Sequence, residues 1–289
     1  DITAIRRTMD FLVKLNPFTK SALEMACWDL AGKSAGLPVW QLLGGRVRDH
    51  VRIKLVVWAR DIAGSRQMAE QHLALGVSCV KVKTGLDPET DIARVRAVRE
   101  VCGPDIPVTI DSNCGWAIQQ ARFCLRALRD QRLLLAEQPI PAGDFAALAE
   151  LRRESVVPIM ADESVFTLQD AWQLSNHRAA DIFSIYPGKH GGIAATADIV
   201  AVARAAGLRC TIGSNLELGI GTAAMLQVAA AFPEVDTDAF PADTIGPFYH
   251  DADLITESLR LGPPMAEVPT GPGLGVELDE WQLRRYRVD

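Results

Sequence analysis

Short apolar runs recur along this chain at near-constant spacing, at residues 51–59, 79–83, 108–111, 133–137, 158–162, 182–186, 209–213 and, more weakly, 236–243. Successive run ends lie 24 to 30 residues apart, and amphipathic helical patterns such as 87–101, 118–131 and 193–206 fill the gaps. A short apolar run suits a strand buried on both faces, and such a strand followed by an amphipathic helix is one βα unit. Open doubly wound sheets share the alternation, but eight near-equal units predict closure into an α/β, TIM-like (β/α)8 barrel over residues 51–254. Ahead of it, Asn16-Pro17 reads as an N-cap followed by proline at the first helical position, opening a helix over 18–33 with Gly36 as its stop. Gly44-Gly45 then breaks the chain. Beyond the eighth run, Gly262-Pro263-Pro264 and the glycine-rich 271–275 end the pattern. Residues 255–289 are expected to leave the barrel and pack on residues 1–50, the two forming a second, incomplete layer.

Composition narrows the function. With 48% apolar residues the chain has enough apolar surface to fold. No apolar run approaches the roughly 20 residues that span a bilayer, which argues against a membrane partner. The net charge of −6, without a basic block, leaves no electrostatic footprint for nucleic acid. Six cysteines (27, 79, 102, 114, 124 and 210) form no CxxC pair and read as reduced core thiols of a cytoplasmic enzyme. The chain opens with Asp1 and polar helical sequence, so an N-terminal piece is expected to be missing.

In a barrel of this kind, chemistry sits where strands end. Three successive runs end in a carboxylate: Asp111 (VTID), Glu137 (LLLAE) and Asp162 (PIMAD). One such aspartate is more often a helix N-cap. Three at matching strand ends would repel one another unless a cation sat between them, and oxygen-only ligands suit Mg²⁺ or Mn²⁺ better than Zn²⁺. Lys81 and Lys83, one residue apart on a strand, face the same way. The chain has only seven lysines against twenty-three arginines, so two inside an apolar tripeptide are unexpected. Their like charges are expected to depress a lysine pKa and make a general base. A metal holding a substrate carboxylate beside such a base points to abstraction of the proton α to that carboxylate, with the enediolate stabilised.

These residues resemble the enolase superfamily, whose sites pair a lysine or histidine base with Mg²⁺, and within it the muconate lactonizing enzyme subgroup. The resemblance runs through ALEMACWDLAGKSAGLPVWQLLGG, KVK, IDSN, AEQP, ADES, KHGG, SNLELGIGTAA and GPGLGVEL, and covers nearly the whole chain. It implies a modified barrel with the remnant of an α+β capping domain, in a homo-oligomer acting on a small-molecule carboxylate. It further implies Lys83 as the acid/base, Lys81 beside the substrate carboxylate, and Asp111, Glu137 and Asp162 as metal ligands. Asn113 and Glu163 would support that shell, and Glu217 or Asp243 would line the pocket. TIGSNLE carries no histidine, unlike the mandelate racemase subgroup.

One departure bears on the reaction. The subgroup ends its sixth strand with a second catalytic lysine, and this chain has Tyr186 there; Lys189 fits the family's later lysine before the glycine pair. With a reference pKa near 10, tyrosine is a weak base at neutral pH, although beside a cation it can act as an acid or hold an oxyanion. Packing in the mouth is the plainer role. Two-base racemisation is therefore disfavoured and one-face chemistry retained, most like a muconate cycloisomerase. The alternatives are an acid-sugar or hydroxy-acid dehydratase, a dipeptide or amino-acid epimerase (towards which Asp236-Thr-Asp238 points weakly), and a metal-binding barrel without turnover. Gly191-Gly192 reads either as an anion-binding helix start or as tight packing. His190 and His250 are read as substrate contacts or plain surface, His250 as surface.

Overall fold

A computed structural model describes residues 1–288. Helices α1 (Ile2–Leu12), α2 (Pro17–Ala35) and α3 (Val39–Leu42) precede the barrel. As the sequence predicts, α2 starts at Pro17 and stops at Gly36, whose φ of 68° lies in the left-handed region that glycine tolerates. Strands β1 (His50–Arg52), β2 (Leu55–Val57), β3 (Val80–Lys83), β4 (Val108–Asp111), β5 (Leu133–Glu137), β6 (Ile159–Ala161), β7 (Ile182–Ile185) and β8 (Arg209–Ile212) follow. Between and after them lie α4 (Ile62–Ala74), α5 (Pro88–Cys102), α6 (Ile118–Ala127), α7 (Phe145–Glu154), α8 (Leu168–His177), α9 (Pro187–His190), α10 (Ile193–Ala205) and α11 (Gly219–Ala231). The chain finishes with β9 (Leu261–Gly262), β10 (Met265–Glu267) and α12 (Glu280–Tyr286). Among the described residues, no helix is long and apolar enough to cross a membrane.

Strands β2 to β8 form one curled parallel sheet in chain order. Two details differ from the sequence reading. The first apolar run divides: β1 pairs antiparallel with β10 in a small three-stranded sheet, and only β2 joins the barrel. The eighth run is not a regular strand, because Pro241 has no N–H to give and Asp236 turns the chain by accepting from Ala239 N. It nevertheless closes the ring, through parallel bridges Val235–Cys210 and Ala242–Ile53. Asp243 N donates to Ile212 O at 2.9 Å, and Lys54 N to Ala242 O at 3.0 Å.

Side chains alternate across a strand, and this sorts the barrel interior into two floors. Leu135, Met160 and Ile182 pack with Phe240 as an apolar plug, separate from the main core between sheet and helices. Two residues further along the same strands, Glu137, Asp162 and Ser184 stand above that plug. Strand register then sets Lys83 opposite Asp111, and Asp111 opposite Glu137. Three charged side chains thus meet at one level because of pairing alone.

The C-terminal segment packs on α2, α3 and the barrel helix α11. Leu274 N donates to Asp29 Oδ1 at 2.8 Å, and Gln227 Nε2 to Pro269 O and Leu274 O at 3.0 Å each. At Gly32 the two segments lie close together: a Cβ there would stand 2.6 Å from both Gly273 Cα and Leu37 O. Alanine favours an isolated helix, yet Gly32→Ala should destabilise the protein by about 1–3 kcal/mol through overpacking. Urea unfolding checks this, and an unchanged or raised midpoint would contradict the contact.

Candidate active site

At the C-terminal mouth of the barrel lies a cavity of about 340 Å³, walled by Trp58, Phe166, Tyr186, Leu216 and Ile245, with charged groups on its floor. Lys83 Nζ lies 2.6 Å from Asp111 Oδ2 and 2.6 Å from Asn113 Oδ1. One pleat deeper, Lys81 Nζ contacts Glu137 Oε2 and Asp243 Oδ2 at 2.7 Å each and Asp111 Oδ2 at 3.4 Å. Lys54 sits below, 3.0 Å from Asp243 Oδ2 and 2.6 Å from Pro241 O. Lys189 spends all three donors, on Asp162 Oδ1 (2.5 Å), Asp162 O (2.9 Å) and Ser184 O (2.8 Å). Asn113 Nδ2 donates to Glu163 Oε1 at 3.0 Å.

The lowered lysine pKa that the sequence suggests is reversed at Lys81. Burial opposes the charge on Lys81, but Asp243, Glu137 and Asp111 outweigh it and raise its pKa well above the usual value. Lys81 is a fixed positive charge. Burial likewise opposes charge on Asp111, yet Lys81 and Lys83 hold that carboxyl below the usual range. Glu137 goes the other way: burial and the neighbouring Asp111 push it up to about 8, against the pull of Lys81. Its Oε2 touches Lys81 but has no aligned hydrogen-bond donor, and Asp243 Oδ1 and Glu163 Oε2 are also buried without one. Lys54, Lys81, Lys83 and Lys189 therefore face five carboxylates, with oxygen lone pairs to spare. That donor set fits a hard divalent cation. Among the described residues, no three such side chains are already drawn together as a cage, since Lys81 and Lys189 occupy their oxygens.

Other expected site residues fall elsewhere. Lys189 is buried and does not line the cavity. Glu217 also lies outside the lining, held by Ser214 Oγ at 2.7 Å and Asn215 N at 2.9 Å, whereas Asp243 does line it. Tyr186 packs in the wall, donating to Asn215 Oδ1 at 3.3 Å; burial, then Asp162 and Glu217, raises its pKa. The cation near it, Lys189, lies over the ring at 4.7 Å from the centroid. Asp236 lies beside Arg209 and Cys210 at the start of β8, the opposite end of the barrel. His190 is buried against Phe166 O, and His250 is exposed on Leu216 O.

Comparison with known proteins agrees with this geometry. The family model "Enolase C-terminal domain-like" matches residues 64–282, and "Mandelate racemase / muconate lactonizing enzyme, N-terminal domain" matches residues 1–44. Muconate cycloisomerase 1 of Rhodococcus opacus is 36% identical over 284 residues, 96% of this chain and 74% of that protein. L-Ala-D/L-Glu epimerase of Bacillus subtilis is 33% identical over 276 residues, 94% of this chain and 74% of that protein. The chain belongs to the mandelate racemase/muconate lactonizing enzyme family. The structure of muconate lactonizing enzyme from Pseudomonas putida superposes with a TM-score of 0.94 at 32% identity, over 99% of this chain and 80% of that one. This family member is thus an isomerase of the enolase superfamily, whose members depend on a divalent metal.

Several residues of this family member's site escaped the sequence reading. Lys54 interrupts an apolar run just as Lys81 does, and that signal was available. Gln138 was hidden beside Glu137; its Oε1 accepts from Asp162 N and Ser164 N at 3.0 Å each, tying two strand ends together. Trp58, Phe166 and Asn215 follow strands on loops whose course no periodicity reveals.

His190 supplies a pH test. Burial and the neighbouring Lys189 hold its pKa well below the usual histidine value. The unfolded chain then takes up a proton that the folded one refuses, so stability falls as pH drops below about 6.5, at up to ~1.4 kcal/mol per pH unit. Replacing the ring in His190→Asn should flatten the decline between about pH 6.5 and 5. Equal slopes in urea titrations of the two proteins would refute this.

Proposed function

We propose that this chain catalyses the cycloisomerisation of a small carboxylate, with Lys83 moving the proton at the carbon next to that carboxylate. The contrast among the four lysines carries the reading. Lys54, Lys81 and Lys189 are buried and committed to carboxylates, whereas Lys83 ends its strand with 20% of its side chain exposed and faces the cavity. A base must reach substrate, and Lys83 alone among them is exposed enough to do so. Lys81, its proton held by three carboxylates, serves as fixed charge beside the substrate carboxylate. Asp111, Glu137 and Asp162 would hold Mg²⁺ or Mn²⁺, with Asn113 and Glu163 orienting the acids and Lys83. When bound, that ion supplies positive charge to the substrate carboxylate as negative charge grows on its oxygens. Trp58, Phe166 and Ile245 keep water from the reacting carbon. The six free cysteines, buried or half-buried, support a cytoplasmic setting.

Similarity to an epimerase keeps a second reading in view. Epimerisation needs a base on each face, and opposite Lys83 the chain offers a buried phenol whose proton is held more tightly than usual. One-face addition of a carboxylate oxygen across a double bond needs only Lys83. Syn elimination of water from a hydroxy acid shares that requirement.

Lys83→Ala should lower turnover by about 10²–10⁴-fold while Mg²⁺ affinity, read by calorimetry, stays nearly unchanged. Preserved turnover would remove Lys83 from the mechanism and favour a binding barrel. Asp162→Asn should weaken Mg²⁺ binding by at least ~10-fold through loss of a charged oxygen ligand. Incubation with small carboxylates in D₂O separates the reactions by NMR: a lactone supports the cycloisomerase, a dehydrated acid the dehydratase. Deuterium uptake without a new product would point to the epimerase.

A further inference from the structure

Glu24, in the middle of α2, is fully buried far from the charged floor of the cavity, and the catalytic reading gives it no task. Its carboxylate sits on the N-terminus of α10. Oε2 accepts from Ile193 N at 2.7 Å and Oε1 from Ala194 N at 2.9 Å, while Trp28 Nε1 donates to Oε1 at 2.9 Å. The anion that Gly191-Gly192 seemed ready to bind is therefore internal. A Cβ at Gly192, whose φ is 134°, would fall 2.4 Å from the Glu24 carboxylate carbon. The glycine exists so that this side chain can reach the backbone behind it.

The turn that Glu24 holds runs straight back to the cavity. Gly191 N and Gly192 N both donate to Pro187 O, at 3.1 and 2.9 Å, closing α9 into a tight loop. That loop carries Tyr186 in the cavity wall and Lys189, which grips both the carboxylate and the backbone of Asp162. The start of α2 packs on the same loop: Phe18 lies against Gly188 and Pro17 against Gly191. Residues 1–44, the part matched by the N-terminal family model, thus meet the barrel loop that orients one proposed metal ligand.

We infer that Glu24 is a positioning residue, a latch from the pre-barrel helix that fixes the 186–192 loop and, through Lys189, the orientation of Asp162. A helix N-terminus attracts a carboxylate by its unpaired N–H groups and its dipole. Here the carboxylate comes from another element, so seating α2 and shaping the loop are one event. The inference rests on the reading of Asp162 as a metal ligand only for its effect on the ion, not for the latch.

The test compares Glu24→Gln, Glu24→Asp and Thr196→Val in the full chain. Gln places an N–H donor against a backbone N–H, Asp keeps the charge one methylene short, and Thr196 Oγ1 donates to Gly192 O at 2.8 Å, a hydrogen bond that does not involve Glu24. With folding verified by circular dichroism, Glu24→Gln should lose amide-exchange protection across 187–194 and weaken Mg²⁺ binding by about 10-fold, as removal of a metal site's supporting partner does. Glu24→Asp should fall between Glu24→Gln and wild type, and Thr196→Val should keep wild-type Mg²⁺ affinity. Unchanged protection in folded Glu24→Gln overturns the latch; lost protection with unchanged Mg²⁺ affinity overturns its link to the site. Should Glu24→Gln not fold, Glu24→Asp is read by the same two criteria. If Asp162→Asn also leaves Mg²⁺ affinity unchanged, the ligand assignment fails, and amide protection alone decides the latch.

Discussion

The fold of this barrel mouth depends on lysines and carboxylates neutralising one another out of water. Lys81 is the hub: one ammonium group contacts Asp111, Glu137 and Asp243 while almost wholly buried. Neither sign is tolerable there alone, because an unpaired charge in such a place costs several kcal/mol. The cluster cannot be read as a simple stabiliser, since desolvation offsets much of the Coulombic gain. Its value is specificity of arrangement. Strand register sets Lys83, Asp111 and Glu137 side by side, and each charge then fixes the rotamers of its neighbours. What remains unbalanced, a carboxylate excess with bare buried oxygens, is the part of the site that suits a divalent ion.

A rigid interior alone would not keep that balance, because Asp162 lies just beyond its strand. Two contacts hold it from outside the sheet. Gln138 accepts from its backbone N–H, and Lys189 reaches both its carboxylate and its carbonyl. Gln138 does so from a left-handed conformation, φ 34°, that turns its amide back across the strand end. The catalytic face is consequently built less by the strands than by the first residues after them, held by partners from the βα units on either side.

Much of this was legible in the sequence because it follows from periodicity. The runs ending at 83, 111, 137 and 162 placed the charges correctly at one mouth, since alternation and parallel pairing admit little else. What misled was any inference from charge alone. Lys81 beside Lys83 suggested a lowered lysine pKa, but three carboxylates from other strands reverse the sign. Of Glu217 and Asp243, either of which was expected in the lining, Asp243 lies there, while Ser214 and Asn215 N hold Glu217 outside it. The eighth run looked like a weak strand, and it is weak for a reason: Pro241 and the Asp236 turn leave only bridges at its two ends. Glu24 sat in plain view within ALEMACWD, but its partner lies 169 residues away, a separation no local pattern spans.

Tyr186 ties the charge balance to the reaction. Its ring packs over Gly213, where even a Cβ would stand 3.1 Å from it and 2.2 Å from Ser184 Oγ. A lysine in that place would add a cation on the face opposite Lys83, next to Asp162 and Glu217, both of which already raise the pKa of the phenol. With tyrosine there, Lys189 remains the positive partner of Asp162, buried behind the wall and outside the cavity lining. Asp162 is therefore matched by a cation without one being placed in the cavity wall at position 186. With Lys83 as the proton carrier proposed above, an uncharged ring on the other side would leave proton transfer to carbon to one face only. The face from which that carbon takes its proton then follows from how the charges are distributed, not from any single catalytic group.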